Sequence, residues 1–298
     1  MALVNLNFES KYLRCNHDVT IILPDKPRKA DPEEFYGRKK KYKVLWLLHG
    51  TFGDHTDWYR HSNIELYACE KDCIVVMPSA INTNYCDWPS FGAGYFLEEY
   101  IIRELMPLVH NWFPASDRRE DNLIGGLSMG ARGAIKLALD NPEKFGGVIA
   151  LSAVPRQSDV DRERLEKLLE MDADALAAES KNFADPFLPA FRNLRLRNDV
   201  INAGGIERYL ATNDLWSLAT SFAGREDCPK LYCAMGTEDV MYDEFQQFRK
   251  HAQSIGLNAV FFEEPGYKHE WRFWDLYIEK ALEYFGMVGE TGGKEFMG

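Results

Sequence analysis

No stretch of the chain stays apolar for anything near the roughly 18 residues a membrane-crossing helix needs, so no bilayer contact is expected. The six cysteines, Cys15, Cys69, Cys73, Cys86, Cys228 and Cys233, form no CxxC pair. They are too sparse for a disulfide-built scaffold, so free thiols are expected, although an even count permits pairing. Positive charge is also short: 35 Lys and Arg stand against 46 Asp and Glu, a net charge of −11 with no basic stripe. That balance excludes a nucleic-acid partner, whose phosphates must be met by a basic surface. The one dense basic run, Arg38, Lys39, Lys40 and Lys41, precedes an apolar segment and reads as a solvated loop flank. Met1 to Phe8 lacks a basic region leading into an apolar one, so no export signal is visible. A cytoplasmic location is the expectation, unless processing has removed such a signal.

What is present is ordinary globular composition, with 46% apolar residues in 298, enough for one large α/β domain. Short apolar runs alternate with helical periodicities, the order of a mostly parallel sheet with helices on both faces. Residues 4–12 and 19–23 have no helix between them and read as an antiparallel edge pair. Parallel strands are expected over 44–48, 74–77, 123–125, 148–151, 231–234 and 259–262, about eight strands in all. Apolar residues spaced by three and four predict helices over 64–71, 95–112, 131–139, 242–255 and 270–285. Residues 155–227 break the rhythm, being far longer than the 2–6 residues usual for such a connection. They read as an inserted cap within a single domain spanning 1–298, the bland alternative being a peripheral helical elaboration. Residues 289–298, rich in glycine and charge, read as a frayed tail.

Gly126-Leu127-Ser128-Met129-Gly130 fits G-x-S-x-G between an expected strand and an expected helix. A nucleophile on so sharp a turn adopts a strained backbone and needs small neighbours, which Gly125, Gly126, Gly130 and Ala131 supply. The helix beyond the turn points free N–H groups and the positive end of its dipole toward developing negative charge. A phosphate-binding loop is the rival for such a turn, but the Lys-Ser/Thr of the Walker pattern is absent.

A serine hydroxyl needs a general base oriented by a carboxylate. In a sheet of this kind acid and histidine follow the serine, on loops at the C-terminal ends of later strands. Asp239, in Gly236-Thr237-Glu238-Asp239, and His269, in Lys268-His269-Glu270-Trp271, satisfy both conditions. Five histidines precede Ser128 and His251 falls in a helical pattern; Glu238 and Asp243 compete with Asp239. The oxyanion of acyl transfer would be held by the amide of Met129 and by that of Thr51 or Phe52, in the loop after strand 44–48. His49, beside Gly50, reads as a loop-fixing residue rather than a base. Trp216 and Phe187, in the insertion, are candidates for an apolar acyl pocket and equally for plain core.

Five separated motifs in order, Leu47-Leu48-His49-Gly50, Asp57-Trp58, Gly126 to Gly130 with Arg132-Gly133, Gly236 to Asp239 and His269-Glu270-Trp271, resemble the esterase D / tributyrin esterase group. That group includes feruloyl and acetyl esterases and S-formylglutathione hydrolases, and the likeness spans residues 44–285. It implies an α/β-hydrolase fold and a carboxylesterase using Ser128, His269 and Asp239 on a small-molecule ester, short-acyl or hydroxycinnamoyl, without metal or organic cofactor. S-formylglutathione hydrolases usually carry a histidine shortly after the nucleophile where this chain has Arg132, which ranks that thioesterase role lower. An acyltransferase would use the same acyl-enzyme. A pure binding module is disfavoured because every chemical element is present. The sequence leaves the oligomeric state open, a homo-oligomer included.

Overall fold

The computed structural model describes residues 2–179, 187–287 and 289. Eight strands form one sheet: β1 (Ala2–Glu9), β2 (Asn16–Leu23), β3 (Val44–Leu48), β4 (Ile74–Pro78), β5 (Asn122–Leu127), β6 (Gly147–Leu151), β7 (Lys230–Gly236) and β8 (Ala259–Glu264). Their spatial order is β1-β2-β4-β3-β5-β6-β7-β8. The β1–β2 pair is antiparallel, in the register Ala2↔Leu23, and β2 meets β4 antiparallel; every later pairing is parallel. All eight strands lie where the apolar runs place them, with ends that differ by a few residues.

The helices that flank the sheet or build the inserted segment are α1 (Ile64–Glu70), α2 (Met106–Trp112), α3 (Met129–Asp140), α4 (Arg162–Glu170), α5 (Ala173–Glu179), α6 (Phe187–Ala203), α7 (Ile206–Asn213), α8 (Leu215–Ser221), α9 (Tyr242–Ser254) and α10 (Trp271–Tyr284). Strands β3, β4, β5 and β6 are buried at every residue because helices cover both faces. Side chains alternate between those faces. Val44, Trp46 and Leu48 point into a core shared with Ile135 of α3 and Phe245 and Phe248 of α9. Leu45 and Leu47 point into a second core with Ile64 and Tyr67 of α1 and Phe273 and Ile278 of α10. Each such burial is worth about 1.5–3 kcal/mol, and together they hold the strand ends rigid.

The structure departs from the predicted helix over 95–112. Tyr95–Phe96 instead pairs with Asp87–Trp88 in a small antiparallel ribbon, joined through Gly92 and Gly94 at positive φ. Helix begins only at Leu97 and widens to a π-turn over Ile101–Leu105 before α2. Pro107 sits at the start of α2 and has no N–H for the preceding turn, which accounts for the loosened ladder. Between β6 and β7 the inserted segment folds as α4 to α8, with Leu165, Val200, Ala203 and Tyr209 forming a small core of its own. The expected tail over 289–298 lies outside the described residues apart from Gly289. All six cysteines are free, and no helix among the described residues is long and apolar enough to cross a membrane.

Candidate active site

Ser128 stands between β5 and α3 with φ 52° and ψ −116°. A non-glycine residue so placed costs about 1–3 kcal/mol and persists only where its surroundings over-determine it. Here they do. The Ser128 amide donates to the Leu151 carbonyl at the end of β6, 2.9 Å away. Close packing allows no side chain at Gly126 or Gly130: a Cβ on Gly126 would meet the Leu48 carbonyl oxygen at 2.5 Å, and one on Gly130 would strike the carbonyls of Leu48 and His49. The end of β3 is thereby pressed against the turn. A Cβ on Gly50 would lie 3.6 Å from that of Ser128.

Asp239 and His269 sit on the loops after β7 and β8, at the same C-terminal edge. His269 Nδ1 is 2.9 Å from Asp239 Oδ2, and the Asp239 side chain is fully buried. Its other oxygen accepts from the Met241 amide at 3.0 Å. Burial alone pushes the Asp239 carboxyl up, but the hydrogen bond and charge of His269, the Met241 amide and a Ser152 hydrogen bond outweigh it, so the net shift is downward. The two loops are pinned to each other: the Glu238 amide donates to the Tyr267 carbonyl at 3.0 Å, and Gly236 packs against that same carbonyl.

Of the competing acids, Glu238 is exposed and faces Lys268 at 3.9 Å, while Asp243 lies in the first turn of α9. Ser152 received no role from the sequence. It occupies the end of β6, between the strands of Ser128 and Asp239, at φ 56°. Its hydroxyl accepts from Trp274 Nε1 at 2.9 Å, and the Trp274 ring stands edge-on to His269 at 5.1 Å. Only its place directly after an apolar strand signalled it.

His49 is buried and uses both ring nitrogens. Nε2 is 2.8 Å from the Ala80 amide, which only donates, so Nε2 accepts; Nδ1 therefore carries the proton and donates to the Gly50 carbonyl at 2.7 Å. Burial lowers its pKa, in keeping with that neutral form. His49 thus ties the loop after β3 to the loop after β4. Trp58, just beyond that loop, donates from Nε1 back to the Leu48 carbonyl at the end of β3, 3.0 Å away.

In the loop after β3, the Phe52 amide donates to Asn82 Oδ1 at 3.0 Å. The amides of Thr51 and Met129 have no acceptor among the described residues. Trp216 is half-buried on α8, its ring stacked on His251 at 4.5 Å and edge-on to Phe248 at 5.7 Å. It also borders a crevice of about 350 Å³ with Arg156, Val240 and Asp243. Phe187 opens α6, and its side chain lies outside the described residues. No group of three or more His, Cys, Asp or Glu among the described residues is arranged to hold a metal ion.

Residues 10–284 match the model of a family described as putative esterase. An acetyl esterase of Caldicellulosiruptor saccharolyticus is 28% identical over 292 residues, covering 97% of this chain and 100% of its own length. Two solved structures from Staphylococcus aureus are each 27% identical and cover 95% of this chain and 98% of their own. They are the fluorophosphonate-binding serine hydrolase FphF, at a TM-score of 0.66, and the S-formylglutathione hydrolase FrmB, at 0.68. With strand order, nucleophile-type turn and a family match over nearly its whole length in agreement, the chain belongs to the esterase family of α/β-hydrolases and is a carboxylic ester hydrolase.

Proposed function

We propose that the chain hydrolyses short-chain acyl esters, acetyl and butyryl foremost, with Ser128 as nucleophile, His269 as general base and acid, and Asp239 as the group that orients His269. The observation that carries this reading is the 2.9 Å His269–Asp239 bond at the strand edge that also presents Ser128. With Nδ1 engaged by the carboxylate, Nε2 is the nitrogen left to take the serine proton. The imidazolium that forms is stabilised by a carboxylate already biased toward its charged form.

Attack on the acyl carbonyl develops negative charge on its oxygen, which the amides of Met129 and Thr51 receive. Phe52 is the weaker candidate because its amide is already given to Asn82. The alcohol leaves with the proton from His269, and water activated by the same nitrogen releases the acid. The acetyl esterase relative supports the short acyl group. The Trp216 ring is committed to His251 and Phe248, which favours a small acyl group over a hydroxycinnamoyl one.

The test compares wild type with Ser128→Ala, both checked for folding, on p-nitrophenyl acetate, butyrate and octanoate, on methyl ferulate and on S-formylglutathione. Loss of about 10⁴–10⁶ in kcat is expected, with acetate and butyrate ahead of octanoate. An active Ser128→Ala would remove the mechanism. Methyl ferulate or the thioester ahead of acetate would keep the mechanism and replace the substrate.

A further inference from the structure

Among the described residues, a side chain of the inserted segment reaches the loop after β3. Arg195, on α6, donates from Nη1 to Thr51 Oγ1 at 2.7 Å and from Nη2 to Asn84 Oδ1 at 2.5 Å. Asn84 Nδ2 in turn donates to Asp199 Oδ2 at 2.8 Å, one helical turn beyond Arg195. Asn82, two residues before Asn84, is the acceptor that holds the Phe52 amide. The loop after β3 is therefore held at two successive residues, Phe52 by its backbone and Thr51 by its hydroxyl.

This frame is ill suited to be a device for stability alone. The Arg195 side chain is 16% exposed and that of Asp199 7%, yet Nε stands 3.9 Å from the carboxylate. Arg195 Nε and Asp199 Oδ1 are both buried without a hydrogen-bond partner among the described residues. A buried ion pair offsets its desolvation only with good geometry, and here the well-formed bonds go to Thr51 and Asn84 instead. The loops they grip are strained, with Phe52 at φ 68°, Asn84 at 55° and Tyr85 at 60°. Tyr85 packs against Gly133 of α3, and its hydroxyl donates to the His49 carbonyl at 3.1 Å. Strain of this kind survives where neighbours fix the backbone, and it gathers at sites whose geometry matters.

We infer that Arg195 is a positioning residue for ester hydrolysis: by gripping the Thr51 hydroxyl it aims the Thr51 amide at the oxyanion, so the inserted segment completes the oxyanion hole. The inference rests on the roles proposed above for Ser128 and Thr51. An amide that drifts from this position loses the transition state more than the ground-state carbonyl, so the effect falls on kcat.

The experiment measures kcat and KM on p-nitrophenyl acetate for wild type, Arg195→Met, Thr51→Ala and the double variant. Arg195→Met/Asp199→Asn is added so that no buried carboxylate is left alone if the single variant fails to fold. Complete loss of one oxyanion donor typically costs about 10²–10³ in kcat, and a misaimed donor should cost part of that. Arg195→Met and Thr51→Ala are each expected to lower kcat about 10–100-fold with KM within about twofold, and the double variant to be no worse than either. A wild-type kcat in Arg195→Met/Asp199→Asn overturns the inference, as do losses that multiply in the double variant. Ser128→Ala serves as control. If it is active, the underlying reading has failed; if it is inactive while the Arg195 variants match wild type, only the inference has.

Discussion

Every side chain of β3 from Val44 to Leu48 is buried and apolar, whereas the described part of α6 buries Val200 and Ala203 beside the carboxyl group of Asp199. The sheet is held by two continuous apolar cores. The inserted segment has a small core of four residues, Leu165, Val200, Ala203 and Tyr209, and sends Ala219 and Phe222 of its last part into the larger sheet core. Through α6 it meets the loops beside Ser128 by the Arg195, Asn84 and Asp199 hydrogen bonds. Apolar packing is non-directional and tolerates small shifts, whereas a guanidinium bond to a hydroxyl holds only within a narrow geometry. Rigidity at the strand edge thus comes from burial, and alignment of α6 on the loops beside Ser128 from a few polar contacts. The insertion should consequently open at a lower free energy than the sheet.

The sharpest separation is expected in catalysis. Asp239→Asn retains the side chain's volume but removes the carboxylate facing His269 Nδ1. It should lower kcat by about 10⁴ while leaving the thermal unfolding midpoint close to wild type. An unchanged kcat would detach the strand-edge pair from the chemistry.

Stability should divide the two regions next. Trp46 is fully buried and donates from Nε1 to Asn122 Oδ1 at 2.9 Å. Trp46→Ala should cost about 3–5 kcal/mol of global stability and speed amide exchange throughout the sheet. Leu165→Ala removes a comparably buried residue from the small core of the insertion. Its cost, about 2–5 kcal/mol, should appear as faster exchange in α4, α6 and α7, with β3 to β6 unaffected. Equal acceleration of the sheet by Leu165→Ala would show one cooperative unit instead of two.

The same division separates what is legible in the sequence from what is not. Ser128, Asp239 and His269 each come within a few residues of an apolar strand's end, so local pattern and chain order are enough to single them out as the candidates for the proposed triad. The antiparallel β1–β2 edge is legible because nothing helical separates the two runs. The frame around Thr51 is not: Arg195 lies 144 residues from Thr51 and 111 from Asn84, and no periodicity encodes a contact that depends on how two segments dock. Ser152 escapes for a related reason, since its role exists only through Trp274 and Asp239 arriving from later in the chain. The ribbon of Asp87–Trp88 and Tyr95–Phe96 is hidden by apolar spacings that a helix fits equally well, until the turn through Gly92 and Gly94 is seen.

The smallest effect should be seen in pH dependence, at Asp199. Burial raises its carboxyl from the usual 3.8 to about 7, against the pull of Arg195, Arg132 and the Asn84 hydrogen bond. The folded state therefore keeps a proton, between pH 3.8 and about 7, that the opened segment has released. Stability should decline as pH rises through that window and level off above it. A tenfold difference in proton affinity between the two states is worth about 1.4 kcal/mol, so the slope is measurable even if relaxation of α6 removes most of it. Asp199→Asn preserves the shape of the side chain without the titration. Amide exchange in α6 at pH 5 and pH 8, corrected for intrinsic rates, should show wild type opening more readily at pH 8 by on the order of 1 kcal/mol relative to the variant. If wild type is instead better protected at pH 8, the ionised Asp199–Arg195 pair holds the insertion down, and the polar attachment is an ion pair after all rather than a set of hydrogen bonds aimed at Thr51 and Asn84.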